Sequence, residues 1–286
     1  NLTLLVARTI RNRPIIAWGV RSSGVDPSQY GERVKWTMRL EKWLSRFADR
    51  VITNSRAALD EYRLNDYPYA KLSHIPNAID VDRFKPDPVA REKLGLELGI
   101  SQSTPLIGLF ARIHPMKDHL TFLRAAKILI YDSPNVRFIC AGEVSTGYET
   151  YEKRIRTTAT ELGLDDHIMW IGPRRDPEYL MAACDLTTLT SDSGEGFPNS
   201  VAESLACSTP CVVTDVGDAA LIVNTPETVV PHSNPEELAI AWQAILDRLK
   251  KSTGDIAINA RNSIVDRYSP KQIARQTLSE LSERPN

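Results

Sequence analysis

The sequence lacks the features that mark several large classes of protein. None of its apolar runs reaches the roughly 18–20 residues that a membrane-spanning helix requires. Its 35 Lys and Arg residues are balanced by 36 Asp and Glu residues, which leaves a formal net charge of −1 and no basic footprint for nucleic acid. We therefore expect neither a membrane-spanning protein nor a nucleic-acid-binding one. The apolar and charged fractions are those of a globular protein, and 286 residues suffice for two ordinary domains.

The start of the chain lacks an initiator Met and the layout of a signal peptide. Its first residues are "NLTLLVARTIRNRP", in which Arg8 and Arg11 interrupt the apolar part. This pattern is typical of the end of a helix rather than of its beginning. We therefore expect that the chain lacks its true N-terminus.

Cysteine pairs with metal-site or redox spacing are also missing. The four cysteines are Cys140, Cys184, Cys207 and Cys211, and no two of them form a C-x-x-C motif. Cys140 and Cys211 lie in strand-like runs. The pattern favours buried, reduced thiols in a cytoplasmic protein over a metal site.

Several well-known catalytic motifs are not found. There is no P-loop and no G-x-S-x-G, and the histidines lack metal-ligand spacing. "GEGFPN" offers Gly194 and Gly196, but Asn199 stands where a dinucleotide-binding fingerprint has its third glycine. Asp80 and Asp82 form a D-x-D pattern inside a proline-bracketed segment, which we interpret as a linker rather than a metal site.

The dominant positive signal is the alternation of strand-like and helix-like runs. Strands are predicted at 14–20, 50–55, 71–76, 105–112, 135–142, 167–172, 185–191 and 209–215. Helices are predicted at 29–48, 56–64, 120–132, 149–163, 177–184, 198–207 and 235–250, with further helix to the end, and a cap-like Asn54-Ser55 precedes the helix at 56–64. Such alternation implies parallel sheets with crossover helices. The series after the linker has the elements of a complete doubly wound domain, and the series before it only about half of one.

Ligands of open parallel sheets bind at the carboxyl ends of strands, near helix N-termini. Arg112 ends one predicted strand, and Lys117 stands at the start of the next helix. Two cations beside a helix N-terminus suit a diphosphate, although a solvated pair on a loop is the alternative interpretation. His114 and His119 flank the pair and can either touch a phosphate or be ordinary loop histidines.

A second such junction follows the next strand. Gly142 and Gly147 allow the backbone to approach a ligand closely, and Glu143 offers a polar contact. An ordinary flexible loop explains these residues equally well.

The third junction is "SDSGEGFPNSVAESLACSTP", residues 191–210. Pro198 suits the first helical position, and the amides of Asn199 and Ser200 are then unpaired at the helix start. Glu195 and Glu203 can flank one cavity at two depths. The alternative is that Glu195 merely favours the helix dipole and that Glu203 is a solvated helix residue.

Taken together, the motifs resemble the group 1 (family 4) retaining glycosyltransferases. "HIPNAIDVDRFKP", "ARIHPMKDHLTFLRAAKIL" and "EGFPNSVAESLACSTPCVVTDVGD" carry the resemblance, which extends from residue 1 to about 268. It implies the α/β GT-B fold, with two Rossmann-like doubly wound parallel-sheet domains, the N-terminal one incomplete. Residues 1–84 would be the C-terminal portion of the acceptor-side domain. Residues 85–286 would bind the nucleotide-sugar, with the last helix (about 269–283) returning to the N-terminal domain.

The resemblance also implies roles for individual residues. The catalytic set would be Arg112 and Lys117, which hold the diphosphate, and Glu195, which begins a Glu-x7-Glu motif. Glu203 would bind the ribose hydroxyls. The donor-binding set would comprise Gly196, Phe197, Pro198, Asn199, Glu203, Gly142 and Arg174. Fixed cations and helix-end amides stabilise a departing diphosphate, so no metal or other cofactor is expected.

The function that the resemblance implies is transfer of a hexose from a nucleotide-diphosphate sugar to a glycan or lipid-linked acceptor. The anomeric configuration would be retained, and the setting would be polysaccharide or glycolipid biosynthesis in the cytoplasm, at the inner face of the membrane. Two alternatives remain open. The chain can be a non-catalytic fragment that binds nucleotide-sugar, or a nucleotide-sugar epimerase of the same fold.

The sequence departs from the family at several points. Ser208 and Asp218 stand where many members have glycine, and the family's glycine-rich loop and catalytic histidine are not in this chain. Arg21 and Ser22 are candidates to face the cleft between the two domains. The predicted helix 29–48, with Trp36 and Trp43 among basic residues, has two interpretations: an amphipathic helix packed on the sheet, which is favoured, or a helix lying against a membrane.

Overall fold

A computed structural model describes residues 15–21, 32–251 and 254–282 of the chain. Its strands are Ala17–Val20 (β1), Arg50–Thr53 (β2), Leu72–His74 (β3), Leu106–Phe110 (β4), Arg137–Ala141 (β5), Ile168–Gly172 (β6), Leu186–Leu189 (β7), Cys211–Thr214 (β8) and Val229–Val230 (β9). They form two parallel sheets, which confirms the predicted fold class.

The helices cover the sheets and alternate with the strands along most of the chain. They are Glu32–Ser45 (α1), Arg56–Leu64 (α2), Ala90–Leu98 (α3), His119–Asp132 (α4), Glu149–Glu161 (α5), Pro177–Ala183 (α6), Asn199–Ala206 (α7), Ala219–Val223 (α8), Pro235–Lys251 (α9), Gly254–Tyr268 (α10) and Pro270–Ser282 (α11). Within the described part, none of them is both long and apolar enough to cross a bilayer.

The small sheet has the order β1-β2-β3, with every pair parallel. After β2, Ser55 caps α2 by accepting a hydrogen bond from the amide of Ala58 at 3.1 Å, as the sequence predicted. Helix α1 ends at Ser45, three residues earlier than predicted, because Phe47 and Ala48 turn the chain into β2. The predicted start of this helix, at residues 29–31, lies outside the described residues.

The large sheet has the order β6-β5-β4-β7-β8-β9, again all parallel. Strands β4 and β7 are neighbours in the sheet, so the strand order reverses between them. The centre of the core under this sheet is aromatic. Phe122 and Phe138 pack edge to face with ring centroids 5.6 Å apart, and both rings contact the fully buried Trp242.

Helix α3 was not predicted, because the prolines before it indicated only a linker. It nevertheless buries Leu94 completely, and it ends at Gly99, whose φ of 68° is the left-handed conformation that glycine adopts readily. The irregular segment between the two sheets therefore ends soon after Pro88, because α3 begins at Ala90.

The last helix lies against the small sheet. The Nε2 of Gln276 donates to the carbonyl of His74 at 2.9 Å, and Arg50 pairs with Glu280 at 3.1 Å. Between α10 and α11, the carbonyl of Tyr268 accepts a hydrogen bond from the amide of Ile79. The two sheets lie on either side of residue 84, and the division into residues 1–84 and 85–286 stays a prediction.

Candidate functional site

The candidate site lies where β4, β7 and β8 end. Because these strands are parallel neighbours, the loops after them meet at one edge of the sheet. This edge holds the reversal of strand order, which is where open parallel sheets form a crevice. The loops that meet there are 111–118, 190–198 and 215–218.

The centre of the site is a buried ion pair between Lys117 Nζ and Glu195 Oε1. Only 14 % of the lysine side chain and 8 % of the glutamate side chain are exposed. The hydroxyl of Ser191 donates to the same carboxylate oxygen at 2.5 Å. The sequence suggested that Glu195 merely complements a helix dipole or contacts a ligand, and it did not predict this pairing across 78 positions.

The two loops that carry the pair are tied together by hydrogen bonds. The hydroxyl of Thr190 donates to the carbonyl of Lys117 at 2.7 Å, and the amide of Asp192 donates to the carbonyl of Met116 at 3.0 Å. Gly217, with a φ of 60°, passes so close that a Cβ there would lie 2.4 Å from the carbonyl oxygen of Glu195. The position of Glu195 is therefore set by packed backbone on two sides.

Lys117 is placed at the start of α4 by a short 3₁₀ turn, Pro115–Lys117. Asp118, which follows it with a φ of 41°, caps α4 by accepting a hydrogen bond from the amide of Thr121 at 3.1 Å. The ammonium group thus stands beside a helix N-terminus, as predicted. This arrangement favours an anion at the same place.

Arg112 follows β4 and is exposed. Its guanidinium lies 3.5 Å from the sulfur of Met116 and forms no salt bridge within the described residues. Arg112 therefore differs from Lys117, whose charge a neighbouring carboxylate neutralises. A ligand phosphate that reached Lys117 would find Arg112 on the same loop.

The two flanking histidines have structural roles. His114 caps the 3₁₀ turn through Nδ1, which accepts a hydrogen bond from the amide of Met116 at 3.2 Å. His119 is 1 % exposed, and burial lowers its pKa to about 4, with a further contribution from Lys117. Burial also lowers the pKa of His114, so the charged form of both rings is disfavoured.

The prediction for Pro198 was wrong by one position. Helix α7 begins at Asn199, and Pro198 precedes it as the N-cap with an extended backbone (φ −73°, ψ 99°). The amides of Asn199 and Ser200 precede the first hydrogen bond of the helix, in which the amide of Val201 donates to the carbonyl of Pro198 at 3.2 Å. Phe197 and Gly196 before it are buried, and the ring of Phe197 packs edge to face on Tyr268 at 5.1 Å.

Glu203 is half-buried within α7 and forms no salt bridge among the described residues. Burial raises its pKa to about 7, with Arg83 opposing the shift and Glu178 adding to it. The interpretation as a solvated helix residue is therefore wrong. Glu203 lies on the side of the site that faces α6, whereas Glu195 faces α4.

Gly142 is required by packing. A Cβ there would lie 2.0 Å from the carbonyl oxygen of Ala111, and its amide donates to the carbonyl of Gly172 at 3.0 Å. A pocket of about 230 Å³ opens at these strand ends, lined by Gly142, Gly172 and Pro173 among others. Gly142 thus lines a pocket at the strand ends, and its contact with the donor stays a prediction.

Arg174 is already neutralised by two carboxylates. Its guanidinium contacts Glu97 at 2.5 Å and Asp176 at 2.8 and 2.9 Å. These contacts hold the loop after β6 against α3. Its predicted part in donor binding is not tested by this arrangement, and the salt bridges supply a structural role that the sequence did not indicate.

The remaining candidates are spread around the site. Asp80 accepts hydrogen bonds from the amides of Asp82 and Arg83 and so forms a turn, and the described part of the chain holds no cluster of three or more potential metal ligands. The four cysteines are buried and unbridged, as predicted. Arg21 lines a 640 Å³ cleft with Asn54, Asn77 and Asn199, whereas Ser22 lies outside the described residues.

Asp218 is a site neighbour whose role the sequence did not reveal. It was noted only as a departure from glycine, yet it is 3 % exposed, and its amide donates to the carbonyl of Gly196 at 3.0 Å. Asn77 was also missed, although its side chain donates to Asn199 at 2.8 Å. An acidic residue directly after a Val-Gly turn was the available signal for Asp218.

Comparison with known proteins agrees with this geometry. Residues 91–263 match the sequence profile described as glycosyl transferases group 1, and residues 21–83 match that of glycosyltransferase family 4. The chain belongs to the group 1 glycosyltransferases. The family predicted from the motifs is thereby confirmed.

Two relatives illustrate the range of activities for which members of this family are named. A D-inositol 3-phosphate glycosyltransferase of Corynebacterium jeikeium is 31 % identical over 73 % of this chain and 52 % of its own length. A GDP-mannose-dependent phosphatidylinositol monomannoside mannosyltransferase of Mycolicibacterium smegmatis is 26 % identical over 82 % of this chain and 61 % of its own. The chain thus spans about half of the first relative's length.

Solved structures extend the likeness to the fold. Anabaena HepE in complex with UDP aligns with 98 % of this chain and 75 % of its own, at a TM-score of 0.85 and 27 % identity. A further structure of HepE contains UDP-glucose. The two-sheet architecture described above is accordingly that of the GT-B glycosyltransferases.

Proposed function

We propose that this glycosyltransferase chain binds a nucleotide-diphosphate sugar at the edge formed by β4, β7 and β8. The whole protein would transfer the hexose to a glycan or lipid-linked acceptor with retention of anomeric configuration. The observation that carries the proposal is the buried Lys117–Glu195 pair, which stands beside the exposed Arg112 and two helix N-termini. Relatives named for nucleotide-sugars support the choice of ligand.

The chemistry that this site supports is stabilisation of a departing diphosphate. Negative charge builds on the diphosphate as the bond to the sugar breaks, and preorganised cations and amides stabilise that charge. Arg112, Lys117 and the first amides of α7 would supply them, so the proposal needs no metal. Glu195 holds Lys117 in position through their pair. We assign neither glutamate as a nucleophile.

Glu203 would bind the ribose from the opposite side of the site. Within the described part of the chain no cation forms a salt bridge with its half-buried carboxylate, which can accept hydrogen bonds from two hydroxyl groups. The extended donor would then place its sugar end near Glu195 and its nucleoside end near Glu203 and the pocket beside Gly172. The base and the sugar are left to experiment, because the named relatives and structures include both UDP and GDP compounds.

Calorimetric titration tests donor binding directly. Purified chain would be titrated with UDP-glucose, GDP-mannose and ADP-glucose. We expect one nucleotide series to bind, and both Lys117→Ala and Glu203→Ala to weaken it by at least about tenfold. Lys127→Ala and Glu161→Ala, which change exposed residues on α4 and α5, are matched controls. Binding that both site variants leave intact would refute the assignment of these residues.

Product analysis separates transfer from the alternatives. The complete protein would be incubated with the bound donor and with lipid-linked and glycan acceptors. A glycosylated acceptor of retained configuration is expected. An epimerised nucleotide-sugar would instead identify an epimerase, and an unchanged donor from a complete protein would leave a binding function only.

We further propose that α1 contacts an anionic membrane surface at its cytoplasmic face. The helix buries Leu44 but leaves Trp36, Leu40 and Trp43 exposed at 65 %, 53 % and 49 %. These positions share one helical face, and the guanidinium of Arg39 lies over the Trp36 ring at 5.5 Å. Apolar rings beside cations are typical of helices that lie in the headgroup region.

Vesicle sedimentation tests this contact. We expect binding to phosphatidylglycerol vesicles that falls at least about fivefold in a Trp36→Ser, Trp43→Ser double variant and is weak with phosphatidylcholine alone. Leu64→Ser, which changes an exposed residue of α2, is the control. Equal binding of the double variant would show that α1 is not the contact.

A further inference from the structure

Asp218 joins the two sheet-bearing parts of the molecule. Its carboxylate accepts hydrogen bonds from the amides of Arg56 at 2.8 Å and Ala57 at 3.0 Å, across more than 160 positions of sequence. These are the first two amides of α2, and Ser55 already satisfies the third, that of Ala58. The helix therefore has its own local cap, and Asp218 adds a connection that capping by itself does not require.

The same residue holds the candidate donor site. The backbone amide of Asp218 donates to the carbonyl of Gly196 at 3.0 Å, and Gly217 before it packs against the carbonyl of Glu195. One residue thus contacts α2 through its side chain and the turn at residues 196–199 through its backbone. A shift of α2 would be transmitted to this turn through the side chain of Asp218, which is buried, with only 3 % of the residue exposed.

The charges around Asp218 leave its carboxylate dependent on the α2 amides. His74 Nε2 lies 4.0 Å from the carboxylate, beyond hydrogen-bond distance, and burial holds the pKa of His74 below its usual value. The amides of Arg56 and Ala57, at the positive end of the helix, therefore bind the charge directly. Loss of either amide would leave a buried carboxylate oxygen without its donor.

A second polar connection reaches the other end of the same turn. Asn77 accepts a hydrogen bond from Asn54 at 3.4 Å and donates one to Asn199 at 2.8 Å. Asn54 directly follows β2, and Asn199 is the first residue of α7. Both ends of the turn at residues 196–199 are therefore bonded to the part of the chain that carries the small sheet.

We propose that Asp218 is a positioning residue that couples the placement of α2 and the small sheet to the geometry of the donor-binding turn at residues 196–199. Movement between the two parts would change the affinity for donor, and donor binding would hold the two parts together. The statement about donor rests on the proposed function, whereas the mechanical coupling does not.

Two variants at Arg56 isolate the bond without changing Asp218. Arg56→Pro removes the amide hydrogen at the first position of α2, where proline is tolerated, and Ser55 before it already has the extended backbone that a following proline requires (φ −142°, ψ 154°). Arg56→Ala keeps the amide and removes only the exposed side chain. Asp218→Asn changes the acceptor.

Hydrogen exchange is the first measurement and needs no ligand. We expect the amide of Asp218 and those of the turn at residues 196–199 to exchange at least about tenfold faster in Arg56→Pro and Asp218→Asn than in wild type, and to be unchanged in Arg56→Ala. Unchanged exchange at the turn in a folded Arg56→Pro protein would overturn the coupling.

Donor titration is the second measurement. Arg56→Pro and Asp218→Asn are each expected to weaken donor binding about tenfold, and the double variant no more than the worse single one, because both break the same link. Multiplying effects would overturn the proposal. A wild-type protein that binds no donor would instead refute the proposed function, and the exchange result would still decide the coupling.

Discussion

The two glutamates of the Glu-x7-Glu motif lie in different environments, although only eight positions separate them. Glu195 is 7 % exposed, and its carboxylate contacts the ammonium of Lys117 and the hydroxyl of Ser191. Glu203 is half-buried, with no salt bridge among the described residues and a pKa raised to about 7. Glu195 was buried together with the cation it pairs with, whereas Glu203 was half-buried and has no salt bridge within the part of the chain that the structure describes.

The difference shows that burial alone does not define a carboxylate's role. Desolvation disfavours the charged form, and a paired cation restores it. Glu195 can therefore position a lysine through their ion pair. Glu203 instead changes its charge near neutral pH and is sensitive to any ligand that supplies hydrogen-bond donors.

Removing the counter-charge gives the largest expected effect. Lys117→Ala would remove the cation that is paired with the buried carboxylate of Glu195, and breaking such a pair typically costs about 4 kcal/mol of unfolding free energy. Chemical denaturation at pH 7 would measure it. The double variant Lys117→Met, Glu195→Gln should recover most of the loss, because both charges of the pair are removed together. A loss below about 1 kcal/mol in Lys117→Ala would contradict the pairing.

Glu203→Gln should stabilise the folded protein above neutral pH, whereas Lys117→Ala should destabilise it. The folded protein holds a proton on Glu203 that the unfolded chain releases, so wild-type stability falls as pH rises from 4.5 to about 7. The variant lacks this dependence and should be more stable than wild type at pH 8 by at most about 3 kcal/mol. At pH 4, where Glu203 is mostly protonated in both the folded and the unfolded wild-type chain, its titration should contribute almost no difference in stability between the two proteins.

Denaturation curves at several pH values would test the prediction for Glu203. Glu161→Gln, at an exposed position of α5, serves as the control. If the stability difference between Glu203→Gln and wild type were the same at pH 4 and pH 8, the raised pKa would be wrong.

Ser191→Ala should give an intermediate effect on the Glu195 side. Its hydroxyl donates to the buried carboxylate at 2.5 Å, and a hydrogen bond to a charged group contributes about 2 kcal/mol. Ser193→Ala is a matched control, because that hydroxyl bonds to Asp192 on the exposed loop. Thermal unfolding of the two variants would show whether only the first is destabilised.

The smallest expected effect is a pH dependence of the donor affinity. We expect it to arise from Glu203 alone. If the ribose hydroxyls donate to its carboxylate, affinity should rise about tenfold between pH 6 and pH 7 at most, and level off above. A sugar nucleotide rather than a free diphosphate is the suitable probe, because its phosphates do not titrate in this range. Calorimetry on Glu203→Gln should give a flat profile, and a flat wild-type profile would argue against a ribose contact.

Much of the fold could be predicted, because its signals are local. Apolar runs and caps such as Ser55 depend on neighbours within one turn or one strand, and they located most of the elements correctly. Helix α3 was missed, because prolines before it indicated a linker while its buried Leu94 could not be recognised from periodicity. The start of α7 was predicted one residue too early, at Pro198, since an N-cap and a first helical position have similar sequences.

The candidate site was predicted as a set of residues but not as a set of contacts. The resemblance supplied Arg112, Lys117, Glu195 and Glu203, and the structure brought Lys117 and Glu195 into one buried pair. It did not bring Arg174 there as a free cation, because Glu97 and Asp176 already bind it.

By itself, the sequence determined the alternation of strands and helices, the spacing of the two glutamates and the family. The tertiary structure decided which carboxylate acquired a partner, and it placed Asp218 on the amides of α2. The physical reason is that burial and pairing depend on groups from distant parts of the chain. Lys117 and Glu195 are 78 positions apart, and Asp218 and Arg56 are 162 apart, so only folding sets the environment that gives each charge its role.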